Sequence, residues 1–403
     1  MSAAPNTIER IQQAIAGLSP GPLTEAGVAR HIAPLFSRVL ARDASRLYLA
    51  NHSLGRPLDA MEDDVREALA VWYSRMGGAW DAWSAELSTH RARWAGLLGV
   101  ARSDCIVPKT SAGAGLRAVL SSYEGIPNVV ATRGEFDSLD VIVREYARRK
   151  RVALTFVEGD GDERFSEDAI ERAIVKGTDL VVVSHVMFKT GQLLSAQRIV
   201  ARAHAVGAKV LLDVYHAVGV VPENLAALNV DFAVGGSYKY LRGGPGACVL
   251  YVAPRHLDTA MRTLDIGWFA KEAAFSYARP DPPRFATGGD GWMESTPPVL
   301  TWYQARSGLA FTLAIGVDRL RAYSLHQQRT LVDLLHTRGI AARGGREDHG
   351  AFVVVTRDDA VDVAAALGRQ DIDVDARGRF LRICPDLLTT REQLEKVANA
   401  LSP

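Results

Sequence analysis

Cysteine is scarce in this sequence: three residues, Cys105, Cys248 and Cys384, occur among 403. They are too few and too widely spaced for a disulfide framework or a zinc site. We therefore expect no metal centre, and we expect a cytoplasmic location, where thiols stay reduced. Lysine is also rare, since eight lysines stand against 39 arginines.

Long apolar runs and an excess of one charge are lacking as well. No stretch approaches 18 uninterrupted apolar residues, and the formal net charge is +1. We therefore expect no membrane span, no signal peptide and no nucleic-acid partner. With 48% hydrophobic and 23% charged residues, the composition is typical of a soluble globular protein.

Strand-like and helix-like segments alternate along most of the chain, which predicts an α/β fold with a mostly parallel central sheet. A chain of 403 residues exceeds the usual size of one core. We therefore expect an N-terminal arm with an active-site loop (1–59), a large cofactor-binding domain (60–288) and a smaller α+β C-terminal domain (289–403). Within the last, the pattern predicts helices over 301–321 and 324–338.

The segment 211–253 carries the main chemical signal. It predicts a strand ending at Asp213, a short helix, a second strand, a polar turn with Lys239 and a glycine cluster. Ligands of parallel α/β sheets bind at the carboxyl ends of strands. A carboxylate and an amine at neighbouring strand ends suit pyridoxal phosphate (PLP), because the amine bonds to the aldehyde and the carboxylate holds the protonated pyridine nitrogen.

Aspartate and lysine also end strands in proteins without a cofactor, so the neighbours of Lys239 matter. Ser237, Tyr238 and Tyr240 place hydroxyl groups beside it. A lysine kept in so polar a turn of an arginine-rich chain is harder to dismiss as surface charge, because arginine cannot form a Schiff base with an aldehyde. The lysine cation would also favour the phenolate form of Tyr238.

The segment 106–123 predicts a phosphate site. A strand ends near Pro108, and Thr110 or Ser111 caps the helix that follows. Free N–H groups at a helix N-terminus, with hydroxyls beside them, bind phosphate. An ordinary capped helix would have the same sequence, but together with the lysine turn we favour phosphate contacts from Thr110, Ser111 and Ala112.

Arg382 lies between Leu381 and Ile383 on a predicted apolar strand, and we expect no local acid partner for it. A buried arginine is costly unless it meets an anion, and its planar fork suits a carboxylate. We therefore expect an anionic ligand at Arg382.

The motifs DVYHAVG and DFAVGGSYKYLRGGPGA resemble the cofactor-lysine region of kynureninase, a fold-type I PLP enzyme of the class V aminotransferase group. The order and spacing of YLANHSLG, GEF, FKTGQ, GWF, STPPVL and FLRICP extend the resemblance from about Tyr48 to the C-terminus. The resemblance implies a homodimer with shared active sites that acts on a small-molecule amino acid. His52 departs from the asparagine common in that family.

The resemblance also assigns the residues around the cofactor. Phe136 would stack on the pyridine ring, while Trp268 and Thr296 would reach the neighbouring subunit's site; a hydrophobic staple and core packing are the plainer readings of the two aromatic residues. The implied catalytic residues are Lys239, Tyr238, Asp213 and His216, although a lone histidine is more often a core residue. The implied cofactor contacts are these four together with Thr110, Ser111, Ala112, Phe136, Trp268 and Thr296.

On the substrate side, the resemblance implies that Arg382 binds the α-carboxylate and that Ser53 and Trp80 face the substrate. Helix capping by Ser53 and core packing of Trp80 are the alternatives. The implied reaction is hydrolytic Cβ–Cγ cleavage of kynurenine or a related aryl-keto amino acid to alanine and an aromatic acid. A class V aminotransferase or a C–S/β-lyase stays open, although Cys384 on a predicted buried strand is unlike the mobile cysteine that desulfurases need.

Overall fold

The computed structural model describes residues 6–402. Its strands are β1 (Leu47–Tyr48), β2 (Ile106–Lys109), β3 (Asn128–Thr132), β4 (Ala153–Val157), β5 (Leu180–Ser184), β6 (Lys209–Asp213), β7 (Phe232–Gly236), β8 (Cys248–Val252), β9 (Val353–Thr356), β10 (Ile372–Asp373), β11 (Asp375–Arg377) and β12 (Phe380–Ile383).

The α-helices are α1 (Thr7–Ala16), α2 (Glu25–Gly27), α3 (Ser37–Asp43), α4 (Ala60–Arg75), α5 (Ala79–Leu97), α6 (Ala112–Leu120), α7 (Asp137–Arg148), α8 (Glu167–Ala173), α9 (Ala196–Ala205), α10 (Leu225–Leu228), α11 (Pro254–Leu257), α12 (Val299–Ile315), α13 (Val317–His336), α14 (Ala360–Arg369) and α15 (Arg391–Ala400). Among residues 6–402, no helix combines the length and the hydropathy needed to cross a bilayer.

A seven-stranded sheet with the order β2-β8-β7-β6-β5-β3-β4 forms the centre of the molecule. Strand β8 runs antiparallel to both of its neighbours, and the other pairings are parallel. Strands β5 and β7 are buried along their whole length, as expected for parallel strands covered on both faces. The predicted α/β fold with a mostly parallel sheet is therefore confirmed, and the carboxyl ends of β5, β6 and β7 meet at one edge.

A second, smaller unit lies around a three-stranded antiparallel sheet with the order β11-β12-β9. Its hydrophobic cluster includes Leu47 and Leu49, because β1 pairs with β10 in parallel. The arm therefore packs on the C-terminal part of the chain as well as on the large domain. The division at residues 59 and 288 stays a prediction.

The two long helices after the central sheet differ from the predicted bounds. The break lies at Gly316, between α12 and α13, and not at 322–323. Gly316 has a φ of 89°, a conformation that favours glycine. The apolar residues around 316–324 continue the helical period across the break, so the hydrophobic pattern does not mark it.

Candidate active site

Asp213 ends β6 at the carboxyl edge of the sheet. Its backbone partners on the neighbouring strands are Ser184 and Val234. The Asp213 side chain accepts a hydrogen bond of 2.8 Å from the Tyr215 N–H, a local turn that aspartate favours and that competes with continuation of the strand. The carboxyl group is therefore held, buried, just beyond the strand end.

Lys239 lies in a tight turn after β7. The Arg242 N–H donates to the Lys239 carbonyl over 3.1 Å, and the Gly243 N–H donates to the Ser237 carbonyl over 2.7 Å. The loop that follows β1 presses on this turn, because a β-carbon at Gly55 would lie 1.9 Å from the Lys239 carbonyl oxygen. The turn and the loop thus bury the lysine from two sides.

Burial shifts both charged groups toward their neutral forms. It lowers the pKa of Lys239 to about 7, and the charge of Arg382 adds to this effect while Asp213 opposes it. It raises the pKa of Asp213 to about 6, against the Tyr215 N–H and the charge of Lys239. A lysine with this pKa is substantially neutral at physiological pH, as a nucleophilic or proton-accepting amine must be.

Two histidines flank the Lys239 amine. Its Nζ lies 3.0 Å from His216 Nε2 and donates to the His52 carbonyl over 2.9 Å. Burial and the nearby cations lower the pKa of His216 well below its usual value and that of His52 to about 3. Both rings are therefore neutral, and His216 Nε2 can accept a hydrogen bond from the lysine amine.

Most of the predicted cofactor contacts line a single cavity. The cavity includes Thr110, Ser111, Ala112, Phe136, Asp213, His216, Tyr238 and Lys239, and also Ser138, Tyr215, Pro245, Gly246 and Cys248. Ser111 caps α6, since its side chain accepts from the Ala114 N–H over 3.1 Å. The N-terminus of α6 thus opens into the cavity, and the Lys239 amine lies 5.8 Å from the Phe136 ring centre.

A buried acid behind this cavity was missed from the sequence. Glu135 accepts hydrogen bonds from Thr132 Oγ1 at 2.5 Å and from Ser184 Oγ at 2.6 Å. Burial raises the pKa of Glu135 to about 7, and the charge of Asp213 contributes to the rise. Glu135 belongs to the GEF motif, but a glutamate in a predicted turn does not indicate that the hydroxyl groups of Thr132 and Ser184 will both donate to it.

The expectation that Arg382 has no local acid partner was wrong. Its Nη2 donates to Asp375 Oδ2 over 2.5 Å, and its Nη1 donates to the Phe188 carbonyl over 2.5 Å. The pairing of β11 with β12 places Asp375 directly opposite Arg382. The guanidinium keeps further donors, and Nε is buried without a hydrogen-bond partner among residues 6–402.

The expectation that Lys239 would favour the Tyr238 phenolate was also wrong. Burial raises the pKa of Tyr238 above its usual value, and the negative charge of Asp213 raises it further. The phenol therefore stays protonated at neutral pH, 5.2 Å from the lysine amine measured to the ring centre. In this form it is a proton donor.

Five predicted residues lie outside the cavity, namely Arg382, Trp80, Trp268, Thr296 and Ser53. Trp80 packs within 6.4 Å of Trp268, ring centre to ring centre, and the Trp268 indole N–H donates to Thr296 Oγ1 over 3.0 Å. Ser53 is half-buried, and its N–H donates to the Ala50 carbonyl. We call Trp72, Trp80, Trp83, Trp268, Phe269, Phe275 and Tyr277 the aromatic cluster. Within one chain it forms a separate surface, not part of the lysine cavity.

A buried charge network fastens the lysine turn to other parts of the chain. Arg242 donates to both oxygens of Asp386 over 2.9 and 2.5 Å. Arg56 lies between Asp386 and Asp43, at 3.4 and 2.7 Å. The turn, the active-site loop, the arm and the small domain therefore share one set of ion pairs.

The family model described as "Aminotransferase class-V" matches residues 57–398. The chain belongs to this family. Among curated class-V relatives, it is similar to the kynureninase of Xanthomonas oryzae, with 31% identity over 314 residues that cover 73% of this chain and 74% of that protein. It is also similar to the kynureninase of Salinispora tropica, with 30% identity over 69% of this chain and 68% of that protein.

Solved structures agree on the fold. The cysteine desulfurase of Thermococcus onnurineus matches with a TM-score of 0.77 at 20% identity, over 89% of this chain and 94% of that one. The C-DES protein, solved with glycine covalently linked to its PLP cofactor, matches with a TM-score of 0.79 at 18% identity, over 92% and 99%. This class-V chain thus has the architecture of fold-type I PLP enzymes.

The cavity fits the cofactor of the class-V family. It presents a buried amine with a lowered pKa, a buried carboxyl at the neighbouring strand end and the N-terminus of α6. These groups suit the aldehyde, the pyridine nitrogen and the phosphate of PLP in turn. The chain is a kynureninase-like PLP enzyme.

Proposed function

We propose that this enzyme cleaves the Cβ–Cγ bond of kynurenine, or of a related aryl-keto amino acid, by hydrolysis to alanine and an aromatic acid. The observation that carries the proposal is the meeting of Lys239, Asp213 and His216 in one buried cavity, in a chain about 30% identical to two curated kynureninases over more than two thirds of its length.

Pyridoxal phosphate supplies an electron sink that stabilises the negative charge left when a bond to Cα is broken. Asp213 would hold a proton on the ring nitrogen, and Thr110, Ser111 and Ala112 would bind the phosphate. Lys239, whose pKa is about 7, takes the proton from Cα. Phe136 would pack against the ring, and His216 accepts a hydrogen bond from the lysine amine.

Arg382 binds the substrate α-carboxylate with the donors that Asp375 and Phe188 leave free. The protonated phenol of Tyr238 donates a proton to the carbon from which the acyl group departs. Ser53 orients the substrate from the loop that buries Lys239.

Desulfurase chemistry is disfavoured by the state of Cys384. The residue is fully buried, its thiol donates to the Ala351 carbonyl over 3.2 Å, and burial raises its pKa to about 12. A nucleophilic cysteine needs an accessible thiolate. Cys105 and Cys248 are buried as well.

We also propose a cytoplasmic homodimer in which the aromatic cluster meets the partner subunit. Trp72, Phe275 and Tyr277 are exposed in the single chain, and an exposed apolar patch of this kind is typical of an interaction site. Trp80, Trp268 and Thr296 would then face the partner's substrate and phosphate. Three buried, unpaired cysteines suit a reducing compartment.

The reaction is tested by offering kynurenine, 3-hydroxykynurenine and a panel of other amino acids to the holoenzyme. The release of alanine, of a keto acid and of sulfide is measured in parallel. Alanine formed in equal amount with an aromatic acid supports the proposal. A keto acid or sulfide from another amino acid, with neither kynurenine turned over, replaces it with transamination or C–S cleavage.

A further inference from the structure

His52 is a fully buried histidine whose ring contacts no protein hydrogen-bond partner. Both Nδ1 and Nε2 lack a donor or acceptor among residues 6–402. A buried polar atom without a partner is rare, and a position that tolerates one is often completed by a ligand. The backbone of the same residue accepts the Lys239 amine, so this ring lies beside the reacting centre.

The surroundings of His52 fix its protonation. Its Nε2 lies 3.6 Å from Asp375 Oδ2, too long for a hydrogen bond in this state. Burial opposes ionisation of Asp375, but His52 and the charge of Arg382 lower its pKa to about 2. An ionised carboxylate can only accept. In a neutral His52 ring, Nε2 therefore carries the proton, and Nδ1 is a bare acceptor.

The position of the ring relates it to the substrate. Burial lowers the pKa of His52, and the charges of the nearby Arg382 and Lys239 lower it further. Its ring centre is 5.0 Å from that of Phe352 and 6.5 Å from that of His216. His52 therefore lies near both the lysine that would bond to a substrate's amino group and the arginine that would bind its carboxylate.

We infer that His52 is a specificity-determining residue whose Nδ1 accepts a hydrogen bond from a hydroxyl group on Cγ of the substrate. The inference rests on the proposed function, because hydrolysis of the Cβ–Cγ bond is the reaction that would place a hydroxyl group on Cγ. When water adds to a γ-carbonyl, a new C–O bond forms and the π electron pair takes up a proton, so that Cγ carries two hydroxyl groups. The preferred class is thus amino acids with oxygen on Cγ.

Two ligands that cannot be hydrolysed test this inference. They are 2-amino-4-phenylbutyrate and its 4-hydroxy derivative, which differ by the Cγ hydroxyl and lack a carbonyl to cleave. Their dissociation constants are measured from the change in cofactor absorption of the holoenzyme. We expect the hydroxy ligand to bind about tenfold more tightly, the worth of one satisfied buried hydrogen bond.

The variant His52→Phe keeps a ring and removes the acceptor, so the ratio of the two constants should fall to about one. His336→Phe makes the same change at an exposed histidine that ends α13 and should keep the wild-type ratio.

A wild-type ratio below about three, or a ratio that His52→Phe leaves within a factor of two, overturns the inference. If His52→Phe does not fold, the ratio in His52→Leu, which also lacks the acceptor, decides in the same way. The outcome is independent of alanine release. An enzyme that fails to cleave kynurenine but shows the expected ratios loses the proposed reaction and keeps the role of His52.

Discussion

Arg382 and Asp375 lie opposite each other on the antiparallel strands β12 and β11, and their side chains meet at 2.5 Å. The arginine is thus oriented before any ligand arrives, and its charge is partly balanced. Asp375 also accepts from the exposed Arg377 over 2.6 Å. A carboxylate that binds here meets a positioned donor, and not a flexible side chain.

Replacing Arg382 with alanine should weaken amino-acid ligands by at least about thirtyfold, because a buried charge partner is lost. The affinity for PLP should change by less than about threefold, since Arg382 lies outside the cofactor cavity. Both constants are measured by absorption titration. Arg377→Ala removes the other arginine on Asp375 and is the matched control. Equal losses for ligand and cofactor would contradict the assignment.

The rate at which apoenzyme captures PLP should rise with pH and level off above about 7. The neutral amine attacks the aldehyde, and burial lowers the pKa of Lys239 from 10.5 to about 7. Stopped-flow absorption gives the midpoint. Lys239→Ala should show no covalent phase, whereas Lys176→Ala at an exposed position should match the wild type. A midpoint near 10 would show that the amine is not buried.

Asp213→Asn should stabilise the apoenzyme at high pH. Burial raises the pKa of Asp213 from 3.8 to about 6, so the folded state binds a proton that the unfolded state has released. The stability of the wild type therefore falls as pH rises from about 4 to 6, and the loss persists above that range. Two pH units correspond to about 3 kcal/mol as an upper bound.

Urea unfolding of wild type and Asp213→Asn at pH 4 and pH 8 measures this difference. The difference in unfolding free energy between the two proteins should be small at pH 4 and larger at pH 8. The same variant should lower kcat by about a hundredfold, because a neutral amide cannot hold the ring proton as a carboxylate does. If the difference in unfolding free energy between wild type and Asp213→Asn were the same at pH 4 and pH 8, burial would not raise the pKa of Asp213.

Cys384→Ala should retain kcat/KM within about twofold, because a buried thiol with a raised pKa is inert. The assay is the reaction that the amino-acid panel identifies. Cys248→Ala is the comparison variant, since Cys248 is also buried but lines the cofactor cavity. A loss of sulfide release specific to Cys384→Ala would restore the desulfurase interpretation.

Local patterns predicted the parts of this molecule that depend on strand ends and helix caps. Asp213 and Lys239 could be placed together because the ends of adjacent parallel strands meet at one edge, and Ser111 could be placed because helices favour serine caps. These inferences need only the local sequence around each residue and the rule that the carboxyl ends of parallel strands meet at one edge of the sheet.

Features that depend on register or burial could not be predicted in the same way. Asp375 faces Arg382 because a three-residue strand turns back at Gly378, and nothing in the apolar pattern sets that register. The raised pKa of Tyr238 follows from its surroundings and not from the lysine next to it in sequence. The partners of Glu135 come from two different strand ends.

The ion pairs of Asp386 have a consequence for engineering this chain. Arg242 is three residues from Lys239, and Arg56 and Asp43 connect the same acid to the arm. Grafting the arm or the C-terminal portion from another member of the class-V family would leave an unmatched ion in a dry interior unless all four positions were exchanged together. Chimeras that ignore this quartet should express poorly even when every cofactor contact is retained.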